Sequence, residues 1–217
     1  MFQWISTLTL LMLFICHWID CQKTVNLNDI CKDKYAVCHI NPPADGSSNI
    51  TGKIMLHQKA VGQADQRGNC KYDFLNVQVN IYNVPENDGT DMHGFHVHEY
   101  GDMERGCSSM GGHYNPNNAP HGGPWNPPRS RHVGDFGNVK QLSLTGNIET
   151  RIVDYLAKLN GPDSIMGRGM VLHAKKDDLG RGEGPDSRKT GNAGHRLACC
   201  IITACEPFTL DGYNLYR

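Results

Sequence analysis

Apolar and polar residues alternate most clearly between positions 75 and 81. Four apolar side chains at odd positions, from Leu75 to Ile81, alternate with asparagine and glutamine. Successive side chains of a strand point to opposite faces, so this pattern predicts a half-buried β-strand. Shorter runs of the same kind predict further strands at 54–58, 94–100, 138–144, 147–153, 170–174 and 197–204.

No stretch of useful length shows a helical period, and turn-forming residues separate several of the runs. The pattern therefore predicts an all-β sandwich or a flattened barrel. Two segments interrupt it, one between Tyr100 and Asn138 and one between His173 and Arg196. Loops of that length in a compact domain usually carry function.

The 217 residues are 39% apolar, enough for one domain with a substantial core. The net charge of -1, with both signs well mixed, gives no reason to expect a nucleic-acid-binding surface. An apolar run at 8–16 is too short to cross a bilayer, so we expect a signal peptide at 1–21, cleaved between 16 and 24, and no membrane anchor. A buried N-terminal helix is the alternative.

Nine cysteines are typical of a protein that folds in an oxidising compartment. Together with the expected signal peptide, they predict an extracellular location. Loss of Cys16 and Cys21 with the signal peptide would leave seven, so at least one thiol stays unpaired within the chain. Asn49 begins an Asn-Ile-Thr sequon, which predicts glycosylation of a secreted chain. An unmodified surface turn is the alternative.

His96 and His98 are two residues apart within a predicted strand, so both rings lie on one face and can bind one ion. Imidazole and carboxylate groups are common metal ligands. Further candidate ligands follow at His113, His121, His132, Asp135 and His173. The set is large enough for two metal ions.

The segments 94–102 and 191–199 resemble the two signature motifs of the copper-zinc superoxide dismutase family, in its extracellular branch. Motifs at 111–116, 121–124, 131–135 and 173–180 match the same family in order. The resemblance covers residues 36–206. It implies a Greek-key β-sandwich, a flattened eight-stranded barrel with two long functional loops, preceded by an extension at 22–35 and followed by a tail at 207–217.

The resemblance also implies one copper ion and one zinc ion per subunit. The implied copper ligands are His96, His98, His113 and His173. The implied zinc ligands are His113, His121, His132 and Asp135, so that the His113 ring bridges the two metals. Asp177 would link His96 to His121, and His93 would be structural. His17, His39 and His57 receive no role.

The implied reaction converts two superoxide anions to dioxygen and hydrogen peroxide, by alternate reduction and oxidation of the copper, with one proton supplied by His113. Arg196 would stand beside the copper, and Lys175 and Lys189 would guide the anion. Thr190 would narrow the channel, with an ordinary loop threonine as the alternative.

Three departures from the family pattern concern the channel and the segment between two zinc ligands. His195 stands where a small residue is common, and it is expected either to modulate steering of the anion near the channel mouth or, as the alternative, to be a passive exposed histidine. Pro185 and Asp186 replace two carboxylates, so one negative charge is missing. The segment 125–130 between zinc ligands is slightly longer than usual.

The resemblance implies a disulfide between Cys107 and Cys199, and its extracellular branch suggests a second between Cys38 and Cys200. Of the remaining three cysteines, we expect Cys31 to pair with Cys70 and Cys205 to stay free, although connectivity cannot be read from sequence. The resemblance also implies a homodimer or a larger homo-oligomer. The tail has no basic run, so we expect weak or no heparin binding.

Three other functions are alternatives to superoxide dismutation. A copper-delivery protein would carry a Cys-x-x-Cys motif, which this chain lacks. A secreted metal-binding or structural sandwich without activity would not need Arg196. A zinc hydrolase needs an open zinc position and a nearby general base, whereas Glu99 points to the strand face opposite His96.

Overall fold

The computed structural model describes residues 31–85 and 89–209, which divide into two units. The smaller unit contains described residues 31–32 and Val61–Lys71, and a Cys31–Cys70 disulfide lies within it. The larger unit contains Asp33–Ala60 and residues from Tyr72 onward. The expected signal peptide, residues 22–30 of the extension and the tail from 210 to 217 lie outside the described residues.

Ten β-strands account for most of the described regular structure. They are β1 (Lys34–Ile40), β2 (Thr51–Val61), β3 (Lys71–Tyr82), β4 (Met92–His98), β5 (Glu104–Cys107), β6 (Asp135–Lys140), β7 (Ile148–Asp154), β8 (Gly169–His173), β9 (Arg196–Ile201) and β10 (Thr203–Ala204). A 3₁₀ turn (Ser108–Met110) and one four-residue helix, α1 (Ser187–Thr190), complete the description. None of the helical segments described could cross a bilayer.

Nine of the ten strands form two antiparallel sheets, and β5 belongs to neither. The first has the order β10-β1-β2-β3-β7, and the second has the order β6-β4-β8-β9. Eight strands have five or more residues, and only β5 and β10 are shorter. The predicted all-β sandwich is therefore confirmed.

Every predicted strand is present, with shifted ends. The strand predicted at 138–144 runs instead from Asp135 to Lys140, because Leu142 and Thr145 form a turn with a 3.2 Å hydrogen bond. The run at 197–204 is two strands in different sheets, separated at the buried Ile202. Strand β1 was missed because its inward residues Ala36 and Cys38 give a weak apolar signal.

The two sheets enclose one cluster of apolar side chains. The odd-numbered residues of β3 from Leu75 to Ile81 are at most 1% exposed, as the alternation predicted. Phe95 and Val97 of β4 face this core and are fully buried. Since strand residues alternate in direction, the neighbouring His96 and His98 emerge on the opposite face of the second sheet.

Pairing within the second sheet places several candidate ligands together. Strand β4 lies between β6 and β8, and His96 is directly opposite Asp135 at the start of β6. His173 is the last residue of β8. The sheet register therefore brings together ligands that are far apart in sequence.

The fully buried ion pair between Arg131 and Asp154 generates a stability prediction. Arg131 Nη1 donates to Asp154 Oδ2 at 2.7 Å, and Asp154 Oδ1 accepts the backbone N–H groups of Leu156 and Ala157. Asp154→Ala would leave a buried guanidinium unpaired, so we expect a loss of about 3–5 kcal/mol in the free energy of unfolding. Guanidinium denaturation of the disulfide-intact protein measures it.

The control is Asp91→Ala, which removes the exposed ion pair with Lys140. Solvent screens this pair, so a loss of less than about 1 kcal/mol is expected. Equal losses of unfolding free energy in the two variants would contradict the prediction that breaking the buried ion pair is more costly than breaking the exposed one.

Candidate metal centre

Four histidines meet on the outer face of the second sheet. His96 and His98 come from β4, His173 from the end of β8, and His113 from the loop after β5. Each offers a ring nitrogen within 4.8 Å of the others, and His98 Nε2 lies 3.2 Å from His173 Nε2. We name these four residues the first histidine group.

A second cluster contains His113, His121, His132 and Asp135. Asp135 Oδ1 lies 3.1 Å from His113 Nδ1, 2.9 Å from His121 Nδ1 and 3.1 Å from His132 Nδ1. The other carboxylate oxygen accepts the backbone N–H groups of Gly122 and His132. One oxygen and three nitrogens therefore converge, as a tetrahedral zinc site requires.

His113 belongs to both clusters. Its Nδ1 faces Asp135, whereas its Nε2 is buried and has no hydrogen-bond partner. The centroids of the His113 and His96 rings are 4.1 Å apart. Imidazole has two nitrogens that can bind metal, so this ring is placed to serve both clusters.

Two buried ring nitrogens, His96 Nδ1 and His113 Nε2, lack hydrogen-bond partners among the described residues, and buried His121 Nδ1 has only the Asp135 carboxylate beside it. Buried polar atoms are normally paired, because an unpaired one costs free energy. All three atoms belong to the two clusters. The orphaned nitrogens and the donor types fit copper in the first histidine group and zinc in the second cluster.

Asp177 connects the two clusters from behind. Its Oδ2 lies 2.7 Å from His96 Nε2, and its Oδ1 lies 2.8 Å from His121 Nε2. Both rings are therefore held at Nε2, which leaves each Nδ1 for metal. The expected link from His96 to His121 is present in the geometry.

Asp177 depends on two residues for which the sequence predicted no role: Asn138 holds its backbone, and Gly191 leaves room for its carboxylate. Asn138 donates from Nδ2 to Asp177 O at 2.8 Å and accepts the Asp177 N–H at 2.7 Å. A Cβ on Gly191 would lie 1.8 Å from Asp177 Oδ1, so only glycine fits there. Neither residue is a ligand type that would draw attention in a sequence.

Backbone carbonyls orient two more rings of the first histidine group. His98 Nδ1 lies 3.0 Å from Gly111 O, and His173 Nδ1 lies 3.1 Å from Gly194 O. In each ring Nδ1 donates to the carbonyl, so Nε2 carries the free lone pair. The two Nε2 atoms face each other, as the short distance between them shows.

Burial and local charges set the protonation of the clusters. Burial lowers the pKa of His98 and His173, and lowers the pKa of His113 to about 3, so these rings are neutral at pH 7. Burial also opposes a charge on His121, but hydrogen bonds and charges from Asp135 and Asp177 prevail and raise its pKa to about 9.

The two carboxyl groups remain ionised. Burial alone would raise the pKa of both Asp135 and Asp177. Hydrogen bonds from the surrounding histidines outweigh burial and lower both pKa values. The centre therefore combines mostly neutral imidazoles with two carboxylates, which is a suitable charge state for binding divalent metal.

A cavity of about 320 Å³ opens onto the first histidine group. It is lined by His98, Gly112, His113, His173, Asp186, Thr190, Asn192, Gly194 and Arg196. Three residues expected around the channel, Lys175, Lys189 and His195, are exposed and do not line it. His195 instead lines a second groove, which also includes Arg196.

The half-buried Arg196 is held at the cavity by two backbone carbonyls. Its Nη1 donates to Cys107 O and its Nη2 donates to Gly111 O. Cys107 is itself joined to Cys199, so a disulfide fixes one of the two acceptors. Burial lowers the pKa of Arg196, a group whose ordinary value is far above neutrality.

All three expected disulfides are present: Cys107–Cys199, Cys38–Cys200 and Cys31–Cys70. Cys205 is the free cysteine of the described residues. His39 is exposed, and His57 pairs with Asp33 at 2.8 Å, so neither joins the metal centre. Glu99 is exposed and belongs to neither cluster.

A β-sandwich whose four-histidine group shares one imidazole with a cluster of three histidines and a carboxylate defines a protein for copper and zinc. The chain belongs to the copper/zinc superoxide dismutase family: the sequence model of Copper/zinc superoxide dismutase (SODC) matches residues 50–202. The chain is thus an oxidoreductase of this type that uses copper and zinc.

Three curated relatives illustrate the similarity. The extracellular superoxide dismutase [Cu-Zn] of Drosophila melanogaster is 42% identical over 163 residues, 75% of this chain and 81% of the relative. That of Caenorhabditis elegans is 49% identical over 119 residues, 55% of this chain and 52% of the relative. The superoxide dismutase [Cu-Zn] of Candida glabrata is 48% identical over 157 residues, 72% and 92% of the two chains.

The position of Asp177 behind both clusters predicts a coupled metal defect. Asp177→Asn keeps the size of the side chain but removes the acceptor from one of the two rings. We expect about 10–100-fold weaker zinc binding and weaker copper binding. Residues that hydrogen-bond to metal ligands typically contribute this much to metal affinity. Competition with chelators measures both affinities.

Asp178→Asn is the matched control, because the Asp178 carboxylate contacts Ser187 and Asn192 and no histidine. Its metal affinities should stay within about threefold of those of the unmodified protein. Weakening of the same size in both variants would count against the role given to Asp177.

Proposed function

We propose that this chain is a secreted superoxide dismutase that converts two superoxide anions to dioxygen and hydrogen peroxide. The observation that carries the proposal is the sharing of His113 between two ligand clusters, beside a cavity that contains Arg196. Copper bound by the first histidine group would supply one-electron redox chemistry, and zinc bound by the second cluster would hold the loop that carries His113.

Arg196 binds and orients the substrate anion in this proposal. Its guanidinium lines the cavity next to His98, His113 and His173. Backbone carbonyls restrain it from one side, and its remaining N–H groups are available for a small anion. Thr190 lines the same cavity and limits the size of what can enter.

His113 supplies a proton within the cavity. Its Nε2 has no hydrogen-bond partner, and the residue lines the cavity wall. A proton held on this nitrogen would lie within reach of a bound anion and would supply one of the two protons that hydrogen peroxide requires, the other coming from solvent. Asp135, at the other ring nitrogen, keeps the ring oriented.

Longer-range guidance comes from exposed charges. Lys175 and Lys189 lie outside the cavity and attract anions toward it, and a positive field of this kind raises the association rate. Asp186 lines the cavity and opposes them. With Pro185 beside it, this chain places a single carboxylate at that point.

Secretion is the second part of the proposal. It is supported by three disulfides, by the apolar segment at 8–16, and by relatives that are named extracellular in fly and worm. Asn49 is exposed and would carry the glycan. We further propose a homodimer or larger homo-oligomer, with weak or no heparin binding.

Replacement of one ligand in the first histidine group tests the activity. We expect His173→Ala to lose copper and to lower superoxide removal by at least about 10³-fold, because the redox centre is incomplete. Metal content by mass spectrometry and superoxide loss after pulse radiolysis are the two measurements.

His39→Ala removes an exposed histidine that lies outside both clusters, and it should match the unmodified protein in both measurements. A metal-loaded, unmodified protein that is no faster than His173→Ala would refute the proposed activity.

The role of Arg196 is tested by charge removal. Arg196→Ala should keep both metals and lower the second-order rate constant by about 10-fold or more at low salt, with a weaker dependence on ionic strength. Arg129→Ala removes an exposed arginine that does not line the cavity and should change the rate less than about twofold. Similar effects of the two substitutions would exclude a specific role for Arg196.

A further inference from the structure

A buried line of polar contacts runs from Val84 through Gln141 and His93 to the backbone of His173. Gln141 Nε2 donates to Val84 O at 2.8 Å, and Gln141 Oε1 lies 2.9 Å from His93 Nε2. The other ring nitrogen of His93 lies 2.9 Å from His173 O. We name these four residues the Gln141 relay.

The relay is shielded from water. Gln141 is 3% exposed, Val84 is 4% exposed and His93 is fully buried. A buried polar group that loses its partner pays the full cost of desolvation, so each member is confined to this arrangement. The relay is therefore a rigid connection.

The far end of the relay is fixed independently. Val84 N donates to Gly146 O at 3.0 Å, which anchors the residue whose carbonyl Gln141 uses. A Cβ on Gly146 would lie 2.8 Å from Val84 O, and the φ of Gly146 is +67°. A larger residue would displace this carbonyl, so the turn is built to present it to Gln141.

The His173 end of the relay lies where the second sheet is irregular. The pairing of β8 with β9 shifts register between Leu172 and His173, so the regular ladder ends at the ligand. His93 Nδ1 lies 2.9 Å from the carbonyl oxygen of His173, while Gly194 O lies 3.1 Å from Nδ1 of the His173 ring. The backbone and the ring of His173 are thus held by different residues.

We propose that Gln141 is a positioning residue for the copper site, acting through His93 on His173. This inference rests on the proposed function, which assigns His173 to copper. The relay ends at His173, which belongs to the first histidine group, and it includes no residue of the second cluster. Its loss therefore changes copper binding and leaves zinc binding intact.

Gln141→Leu tests the proposal, because leucine fills similar space without the amide. We expect about 10-fold weaker copper binding in chelator competition, zinc binding within about twofold, and a changed hyperfine splitting in the electron paramagnetic resonance spectrum of the Cu(II) form. A purely structural role would lower stability without changing that spectrum.

Gln58→Leu is the matched control. Gln58 is 2% exposed and also joins two backbone groups, since its Nε2 donates to Asp73 O at 3.0 Å and its Oε1 accepts the Leu159 N–H at 2.9 Å. It belongs to neither ligand cluster. We expect a similar loss of stability, with copper affinity and spectrum unchanged.

Gln141→Asn is the second variant, for use if Gln141→Leu does not fold. Its amide is one methylene too short to contact both Val84 and His93, so the same changes in copper affinity, zinc affinity and spectrum are expected. A folded variant with native zinc content, native copper affinity and an unchanged spectrum would contradict the proposed positioning role of Gln141. Copper affinity that is unaffected by His173→Ala would overturn the proposed function instead, so the two failures are distinguishable.

Discussion

The metal centre depends on a single buried carboxylate. Asp177 accepts hydrogen bonds from His96 on a core strand and from His121 on a long loop, and its own backbone is fastened to Asn138. A buried charge is tolerated only where several donors surround it, so these contacts form together or not at all. One side chain thereby orients one ring in each cluster.

This constraint explains how two long loops with few apolar residues adopt one structure. Their order comes from polar contacts: His121 N donates to Arg188 O at 2.8 Å between the loops, and Gly122 N donates to Asp135 Oδ2 at 3.0 Å at the end of the first loop. The same atoms that stabilise the loops also orient ligands. Metal binding and loop structure are therefore one equilibrium, in which either stabilises the other.

The sequence predicted those parts whose signals are local. The alternation in β3 and the two-residue spacing of His96 and His98 each report a strand directly. Gln141 gave no signal, because a buried glutamine has no distinguishing pattern and its partner His93 is 48 residues away. The exclusion of Lys175 from the cavity depends on loop geometry, which apolar periodicity does not encode.

Strand β9 connects the core to the cavity through side chains that alternate in direction. Cys200 points into the main core and joins β1 of the other sheet through Cys38, whereas its neighbour Cys199 points to the opposite face and joins Cys107. The carbonyl of Cys107 in turn accepts a hydrogen bond from Arg196, at the start of the same strand. Two adjacent cysteines thus link the packing of the sheets to the position of the cavity cation. A displacement of β9 would move that cation, because Arg196 belongs to this strand and the carbonyl that it contacts is tied to the strand by the Cys107–Cys199 disulfide.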